Sequence, residues 1–142
     1  MKIALGGDHA GVQLKKSVAG FLQDKGLSIL NYGTDDDSRV DYPDYGHAVA
    51  EAITEGQADY GIVICGSGNG INMTVNKHPR IRSALCWTVE LAKLARQHND
   101  ANVLALPARF IGQEEALAIV RHFLDTAFEG GRHERRVRKI SY

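Results

Sequence analysis

The residues best suited to chemistry lie in segment 65–70, where a cysteine precedes a loop that contains three glycines. The apolar, β-branched residues 62–64 before Cys65 predict a strand, and the apolar stretch after Gly70 predicts a helix. A loop from a strand to a helix points several backbone N–H groups at one spot, and the helix dipole adds partial positive charge. The segment therefore predicts an anion-binding nest beside a thiol, for either a phosphate or a charge that develops during a reaction.

The glycine spacing disfavours a nucleotide site. No Lys-Ser or Lys-Thr pair follows Gly70, as a Walker A loop requires, and GxGxG differs from the GxGxxG of dinucleotide-binding folds. The alternative without a ligand is a tight turn, with Cys65 in the core like Cys86. Three glycines after an apolar strand, next to a thiol, favour a ligand site.

Two further segments carry candidate site residues. Asp8 and His9 follow the first predicted strand in a glycine-flanked turn, where Asp8 either caps the next helix or serves the site. His98 and Asn99 end a predicted helix, where a C-terminal cap is the simpler interpretation. No spacing of His, Cys, Asp or Glu indicates a metal site. The other histidines show no partner in the sequence and are assigned to the surface or to packing: His47, His78, His122 and His133.

The C-terminal segment 129–142 is basic in a chain whose formal net charge is zero. Arg132 and Arg136 are four residues apart, so on a helix both guanidinium groups reach one dianion, for which a phosphate is the natural partner. The alternative is a solvated helix face. One short cluster is too small to indicate a nucleic-acid site.

Alternating strand and helix patterns must position these residues. They predict a five-stranded parallel sheet in a doubly wound, three-layer α/β sandwich. Ligands bind beyond the carboxyl ends of such strands, where Asp8, His9, segment 65–70 and Arg109 are expected to converge. Thr88 is predicted to cap the fourth helix. The predicted strands are 2–6, 27–32, 60–65, 83–87 and 102–107; a polar loop is predicted at 35–44, and helices at 11–25, 45–53, 71–76, 89–96 and 112–128.

The composition limits the classes of function. With 142 residues, 44% hydrophobic and 24% charged, residues 1–142 are expected to form one domain whose core needs no disulfide or metal. The neutral charge balance gives no reason to expect a nucleic acid or an anionic membrane. No apolar run approaches the roughly 18 residues of a membrane span. Without a signal peptide or a cysteine pattern for disulfides, a cytoplasmic location is expected.

Together these motifs resemble the ribose-5-phosphate isomerase B family, which also contains the allose- and galactose-6-phosphate isomerases. The resemblance implies conversion of an aldose phosphate to its ketose phosphate through a cis-enediolate, without a metal or nucleotide cofactor. It implies that Cys65 is the base, as in the cysteine branch, because Ile71 occupies the position of the glutamate used in another branch. The resemblance covers almost the whole chain, in segments 7–9, 41–43, 65–71, 76–77, 96–103 and 129–137.

The resemblance also implies a role for each candidate residue. Asp8 resembles the carboxylate that moves the O1 and O2 protons, and Ser67 keeps the hydroxyl of the family's usual threonine. His98 resembles the acid and base that opens the furanose ring, with Asn99 on a sugar hydroxyl. The hole for the enediolate oxygen is implied at Gly66, Gly68, Asn69 and Gly70, and the phosphate site at His9, Arg109, Arg132 and Arg136, with Tyr42 lining the pocket.

The family's members are dimers or tetramers with shared sites, so a homodimer is expected, with His98 or Arg109 crossing the interface. The expected reaction joins ribose 5-phosphate and ribulose 5-phosphate, and an isomerase of hexose 6-phosphates is the rival within the class. Two other classes stay open. A non-catalytic sugar-phosphate-binding module is disfavoured by the intact Cys65, Asp8 and His98. A nucleotide-binding module would require tight binding of NAD or ATP.

Overall fold

Five parallel strands form one sheet in the computed structural model, which describes residues 1–141; Tyr142, the last residue of segment 129–142, lies outside the described part. The strands are β1 (Lys2–Gly7), β2 (Ser28–Asn31), β3 (Tyr60–Cys65), β4 (Ser83–Leu85) and β5 (Val103–Pro107). Their order is β2-β1-β3-β5-β4. The register pairs Gly7 with Ile64 and Cys65 with Pro107, so the three central strands end together at the carboxyl edge of the sheet.

Helices cover both faces of the sheet. They are α1 (Val12–Asp24), α2 (Tyr42–Thr54), α3 (Asn69–Val75), α4 (Val89–Asn99), α5 (Gln113–Asp125) and α6 (Arg132–Ile140). Alternate residues of a strand point to opposite faces, so Ile62 and Ile64 share a core with α1, α4 and α5. Val63 and Cys65 share the other core with α2 and α3. The predicted three-layer, doubly wound α/β sandwich is therefore confirmed.

Several predicted boundaries were wrong. The polar loop predicted at 35–44 ends earlier, because α2 begins at Tyr42 and Pro43 lies in its first turn, where proline is tolerated. The helix predicted to reach residue 128 ends at Asp125, since Thr126 has an extended backbone and its carbonyl accepts a hydrogen bond from Arg96 Nε at 3.1 Å. Strand β4 stops at Leu85 instead of residue 87.

Other predicted features agree closely with the structure. Strand β3 has the predicted bounds, and the Thr88 hydroxyl caps α4 by accepting from the N–H of Leu91 at 3.2 Å. The basic segment forms a regular helix, α6, which packs against α4. No helix within residues 1–141 is long and apolar enough to cross a membrane.

Candidate active site

The glycine loop after β3 is shaped by close packing. Cys65 ends the strand with 5% of its surface exposed, and Gly68, the N-cap residue before α3, has a φ of 78°. A Cβ atom at Gly68 would lie 2.5 Å from Leu85 Cδ1, so a larger residue would be both strained and crowded. Glycine at this position therefore lets the loop fold back beside Cys65.

Backbone donors of the loop are free to bind a ligand. Within residues 1–141, the N–H groups of Gly66, Ser67, Gly68 and Gly70 have no acceptor. Asn69 N–H reaches the Ser67 hydroxyl, at 3.3 Å. Helix α3 has only 7 residues, so these N–H groups, and not a long helix dipole, supply the positive potential. The arrangement can stabilise a negative charge next to the thiol.

Asp8 lies directly beside the end of β3. Its N–H donates to Ile64 O at 3.1 Å, and its side chain is buried with 7% exposure. Oδ1 accepts from Ala10 N–H at 3.0 Å, which is the capping role, while Oδ2 has no partner within residues 1–141. One oxygen therefore fixes the carboxylate and the other is available for proton transfer.

His9, Arg109 and Tyr42 complete this edge. His9 Nδ1 accepts from Val40 N–H at 3.2 Å, so a neutral His9 carries its proton on Nε2 and donates from there. Arg109 N–H donates to Gly66 O at 3.0 Å, and its Nη1 is 3.2 Å from the position of a Cβ on Gly66. A Cβ on Gly70 would overlap the ring of Tyr42, which places that ring against the loop.

The other predicted site residues lie at the opposite, amino edge of the sheet. Helix α4 starts at the carboxyl edge after β4 and runs back to Asn99, whose carbonyl accepts from Arg82 Nε at 3.2 Å. Strand β5, which separates the two edges, has 5 residues and spans about 15 Å. His98 and Asn99 therefore do not reach Cys65 of the same chain.

Helix α6 adds its arginines to this amino edge. Glu129 N–H donates to Gln97 O at 3.1 Å, and Gly130 and Gly131, with φ of 69° and 55°, reverse the chain into α6. The positive φ values explain why two glycines occur here. Arg132 and Arg136, in the first two turns of α6, consequently lie on the same side as His98.

The amino edge also contains a histidine stack that the sequence analysis missed. The rings of His98 and His133 are nearly parallel, at 16°, with centroids 4.3 Å apart. Glu129 Oε1 lies 3.9 Å from His98 Nε2 and 3.7 Å from His133 Nε2. Burial, together with the charges of His98 and Arg132, lowers the pKa of His133 below 6.5. The sequence shows no partner for His133, but the fold packs its ring against His98.

The side chains of His98, Glu129 and His133 lie close enough together to be candidate metal ligands. Their ligand atoms lie within 4.8 Å of one another. The parallel stack directs the two ring nitrogens side by side, whereas a zinc ion needs nitrogens that converge at about 2.0–2.1 Å. The arrangement therefore does not fit a zinc site. His47 and His78 are also partners of each other, since His47 Nδ1 lies 2.6 Å from His78 Nε2.

The sequence analysis also missed two exposed aromatic residues at the carboxyl edge. Trp87 is 52% exposed and Phe110 is 74% exposed. They flank a groove of about 490 Å³ that also contacts Ser67 and Asn69 of the glycine loop. In the sequence, Phe110 directly follows the predicted site residue Arg109, which was the signal for an aromatic residue at this edge.

Cys86 is buried as predicted, and burial raises the pKa of its thiol to about 12.

Comparison with known proteins identifies the class. Residues 3–140 match the family model described as Ribose/Galactose Isomerase, and the chain belongs to this family. Ribose-5-phosphate isomerase B of Escherichia coli (strain K12) is 44% identical over 140 residues, 99% of this chain and 94% of that protein. The family and fold predicted from the sequence are confirmed.

Solved structures are similar over nearly the whole chain. Ribose-5-phosphate isomerase B of Clostridium thermocellum has a TM-score of 0.98 and 49% identity, covering 99% of this chain and 95% of that one. The corresponding Mycoplasma genitalium structure, with bound ribulose-5-phosphate, has a TM-score of 0.94 and 41% identity, covering 98% and 93%.

Proposed function

We propose that this protein is an aldose–ketose isomerase that interconverts D-ribose 5-phosphate and D-ribulose 5-phosphate. The observation that carries the proposal is the Cys65 thiol beside a row of free N–H donors, with the free Asp8 oxygen on the adjacent strand end. The names of the similar proteins and the ribulose-5-phosphate in one of their structures support this substrate pair.

The proton transfer uses the carboxyl edge. The Cys65 thiolate takes the C2 proton of the open-chain aldose, the electron pair forms the C1–C2 double bond, and negative charge develops on the C1 oxygen. The N–H groups of the loop, from Gly66 to Gly70, stabilise that charge, worth roughly 3–4 kcal/mol per donor. Asp8 Oδ2 moves the proton between O1 and O2, and Cys65 returns its proton to C1.

The amino edge performs the remaining roles. His98 opens the furanose ring, Asn99 binds a sugar hydroxyl, and Arg132 and Arg136 bind the phosphate. From the carboxyl edge, the Nε2–H of His9 and the guanidinium of Arg109 contribute to phosphate binding, and Tyr42 lines the pocket.

Because these roles are divided between opposite edges, the proposed active site requires a second copy of the chain. The carboxyl edge of one subunit faces the amino edge of its partner, and a two-fold axis gives two such sites per homodimer. The exposed rings of Trp87 and Phe110 beside the glycine loop support this arrangement, since a partner subunit would cover them. Arg109 already lies beside its own chain's Gly66, so His98 is the residue that crosses the interface.

The substrate is tested by measuring kcat/KM for ribose 5-phosphate, allose 6-phosphate and galactose 6-phosphate. We expect the highest value for ribose 5-phosphate, together with exchange of its C2 proton in deuterated water. A preference for either hexose phosphate would overturn the substrate assignment. Binding without exchange on any of the three sugars would instead indicate a non-catalytic module.

A further inference from the structure

The stack between His98 and His133 joins two separate parts of the chain. His98 lies in the last turn of α4, whereas His133 lies in the first turn of α6. His133 is 6% exposed, so its ring is held firmly, while the side chain of His98 is 39% exposed. A buried ring that lies parallel to a more exposed one restricts the orientation of the exposed ring.

The turn that carries Glu129 reinforces this contact. Its hydrogen bond to Gln97 O ties residue 129 to the turn of α4 that contains His98. The N–H of His133 donates to Gly130 O at 3.0 Å, which fixes the start of α6 against the same turn. The stack is thus held by backbone bonds on both sides.

Charged side chains of both signs surround the stack. Two imidazolium rings with centroids 4.3 Å apart repel each other, and the nearby Arg132 and Arg136 add to that repulsion at His133. Glu129 Oε1 faces both Nε2 atoms, at 3.9 Å from His98 and 3.7 Å from His133. Burial and the neighbouring positive charges lower the pKa of His133.

We propose that His133 is a positioning residue for ring opening: it stacks on His98 and, with Glu129, fixes the orientation of that imidazole. This inference rests on the proposed role of His98. In ring opening the C1–O4 bond breaks, the ring oxygen takes a proton from the imidazole, and the imidazole recovers one from the C1 hydroxyl as the carbonyl forms. A tilted His98 would misplace both transfers.

The test separates ring opening from proton transfer at carbon. Ribulose 5-phosphate cannot form a furanose, because its O5 carries the phosphate, so exchange of its C1 protons with deuterated water needs no ring opening. In the full-length His133→Ala protein, we expect net isomerisation of ribose 5-phosphate to fall about 10- to 100-fold. The exchange on ribulose 5-phosphate is expected to stay within about twofold of the unsubstituted protein.

Two further variants make the result specific. His133→Phe keeps an aromatic plane against His98 and is expected to recover most of the isomerisation lost in His133→Ala. The NMR signal of the His98 ring C–H should move downfield in His133→Ala and remain shielded in His133→Phe, which reports the stack without any activity. His122→Phe, a histidine substitution in the last turn of α5, is the matched control: the His122 ring lies 3.3 Å from Arg121 Nη2, and the variant should change neither rate.

Three results would overturn the inference: equal loss of isomerisation and exchange in folded His133→Ala, no loss of either, or no recovery in His133→Phe. His98→Ala provides the reference for the proposed function. If His98→Ala retains full isomerisation, the role of His98 itself is wrong. If the unsubstituted protein shows no exchange on ribulose 5-phosphate, the proposed reaction is wrong. Both failures differ from a failure at His133, because in that case His98→Ala still lowers isomerisation.

Discussion

The carboxyl and amino edges of the sheet are built in different ways. The carboxyl edge consists of strand ends and a glycine loop, whose geometry follows from sheet register and from close packing at Gly68. The amino edge consists of helix ends, where Asp100 joins Arg96 at 2.9 Å and Arg82 at 3.3 Å, beside the histidine stack. The first edge offers a thiol and free N–H donors, whereas the second offers imidazole and guanidinium groups. In the proposed mechanism each edge therefore supplies one part of the chemistry.

The largest expected effect separates the two cysteines. Cys65→Ala removes the proposed base, so kcat should fall about 1,000-fold or more while substrate binding is largely kept. Cys86→Ala, the control, removes a core thiol of pKa about 12 and should leave kcat nearly unchanged. Steady-state kinetics and calorimetric binding check both. An active Cys65→Ala protein would show that another group is the base.

The next effect tests the geometry of the anion hole. Gly68→Ala forces an L-residue into positive φ and against Leu85, so we expect a loss of about 1–3 kcal/mol in the free energy of unfolding. The displaced N–H donors should also lower kcat about 100-fold. Gly20→Ala, in α1 with open space around it, should stabilise the protein by about 0.5–1 kcal/mol. Urea unfolding and kinetics together check this; normal kcat in Gly68→Ala would contradict the account.

A third effect probes the amino edge through the phosphate. Arg136→Ala removes one charge-assisted hydrogen bond of about 1.5–3 kcal/mol, so KM should rise roughly 10- to 100-fold with a smaller change in kcat. Arg138→Ala, on the same helix and paired with Glu134 at 3.4 Å, is the control and should leave KM within about twofold. Initial-rate kinetics at fixed ionic strength distinguish them. Equal KM values for the two variants would remove Arg136 from the phosphate site.

The smallest effect is a pH dependence at the amino edge. The folded protein holds the pKa of His133 below 6.5, so the unfolded chain binds more protons than the folded one as pH falls below that value. The contribution of His133 to the free energy of unfolding is therefore fully present above pH 6.5. It is lost as the pH falls towards the lower pKa that His133 has in the folded protein. Burial lowers this pKa most, the charges of His98, Arg132 and Arg136 lower it further, and Glu129 raises it.

Urea unfolding at pH 7.5 and 5.5 measures that decline. It should be smaller in His133→Phe, which has no group to titrate. Asp35 does not interfere, because its pKa lies below 3.8 through its hydrogen bond from Lys15, and its contribution is lost only at lower pH. An equal decline in both proteins would contradict a lowered pKa at His133.

The difference between the carboxyl and amino edges also explains which features could be predicted from the sequence. Strand β3 and the convergence of Asp8 with segment 65–70 followed from apolar runs and from the rule that parallel strands end at one edge. The start of α2 was missed because its first residues are polar and include a proline, which resembles a loop. The end of α5 was missed because apolar residues continue beyond Asp125 although the backbone turns away.

At the amino edge, the sequence indicated residue types but not their partners. His98 and His133 belong to helices joined only by tertiary packing, and no local spacing signals their stack. The division of site residues between two edges was already implicit in the predicted topology, because a helix between parallel strands ends where the next strand begins. Recognition of that division required the observed end of α4 at Asn99.

The most direct test of the two-edge account is to mix the inactive variants Cys65→Ala and His98→Ala under conditions that exchange subunits. A mixed dimer contains one site with both substitutions and one complete site. Half of the dimers formed from an equal mixture are mixed, so activity should recover to about a quarter of that of the unsubstituted protein. Cys65→Ala mixed with the double variant offers no complete site and should stay inactive. Mixed dimers that form, as seen by native mass spectrometry, yet remain inactive would contradict a site shared between opposite edges.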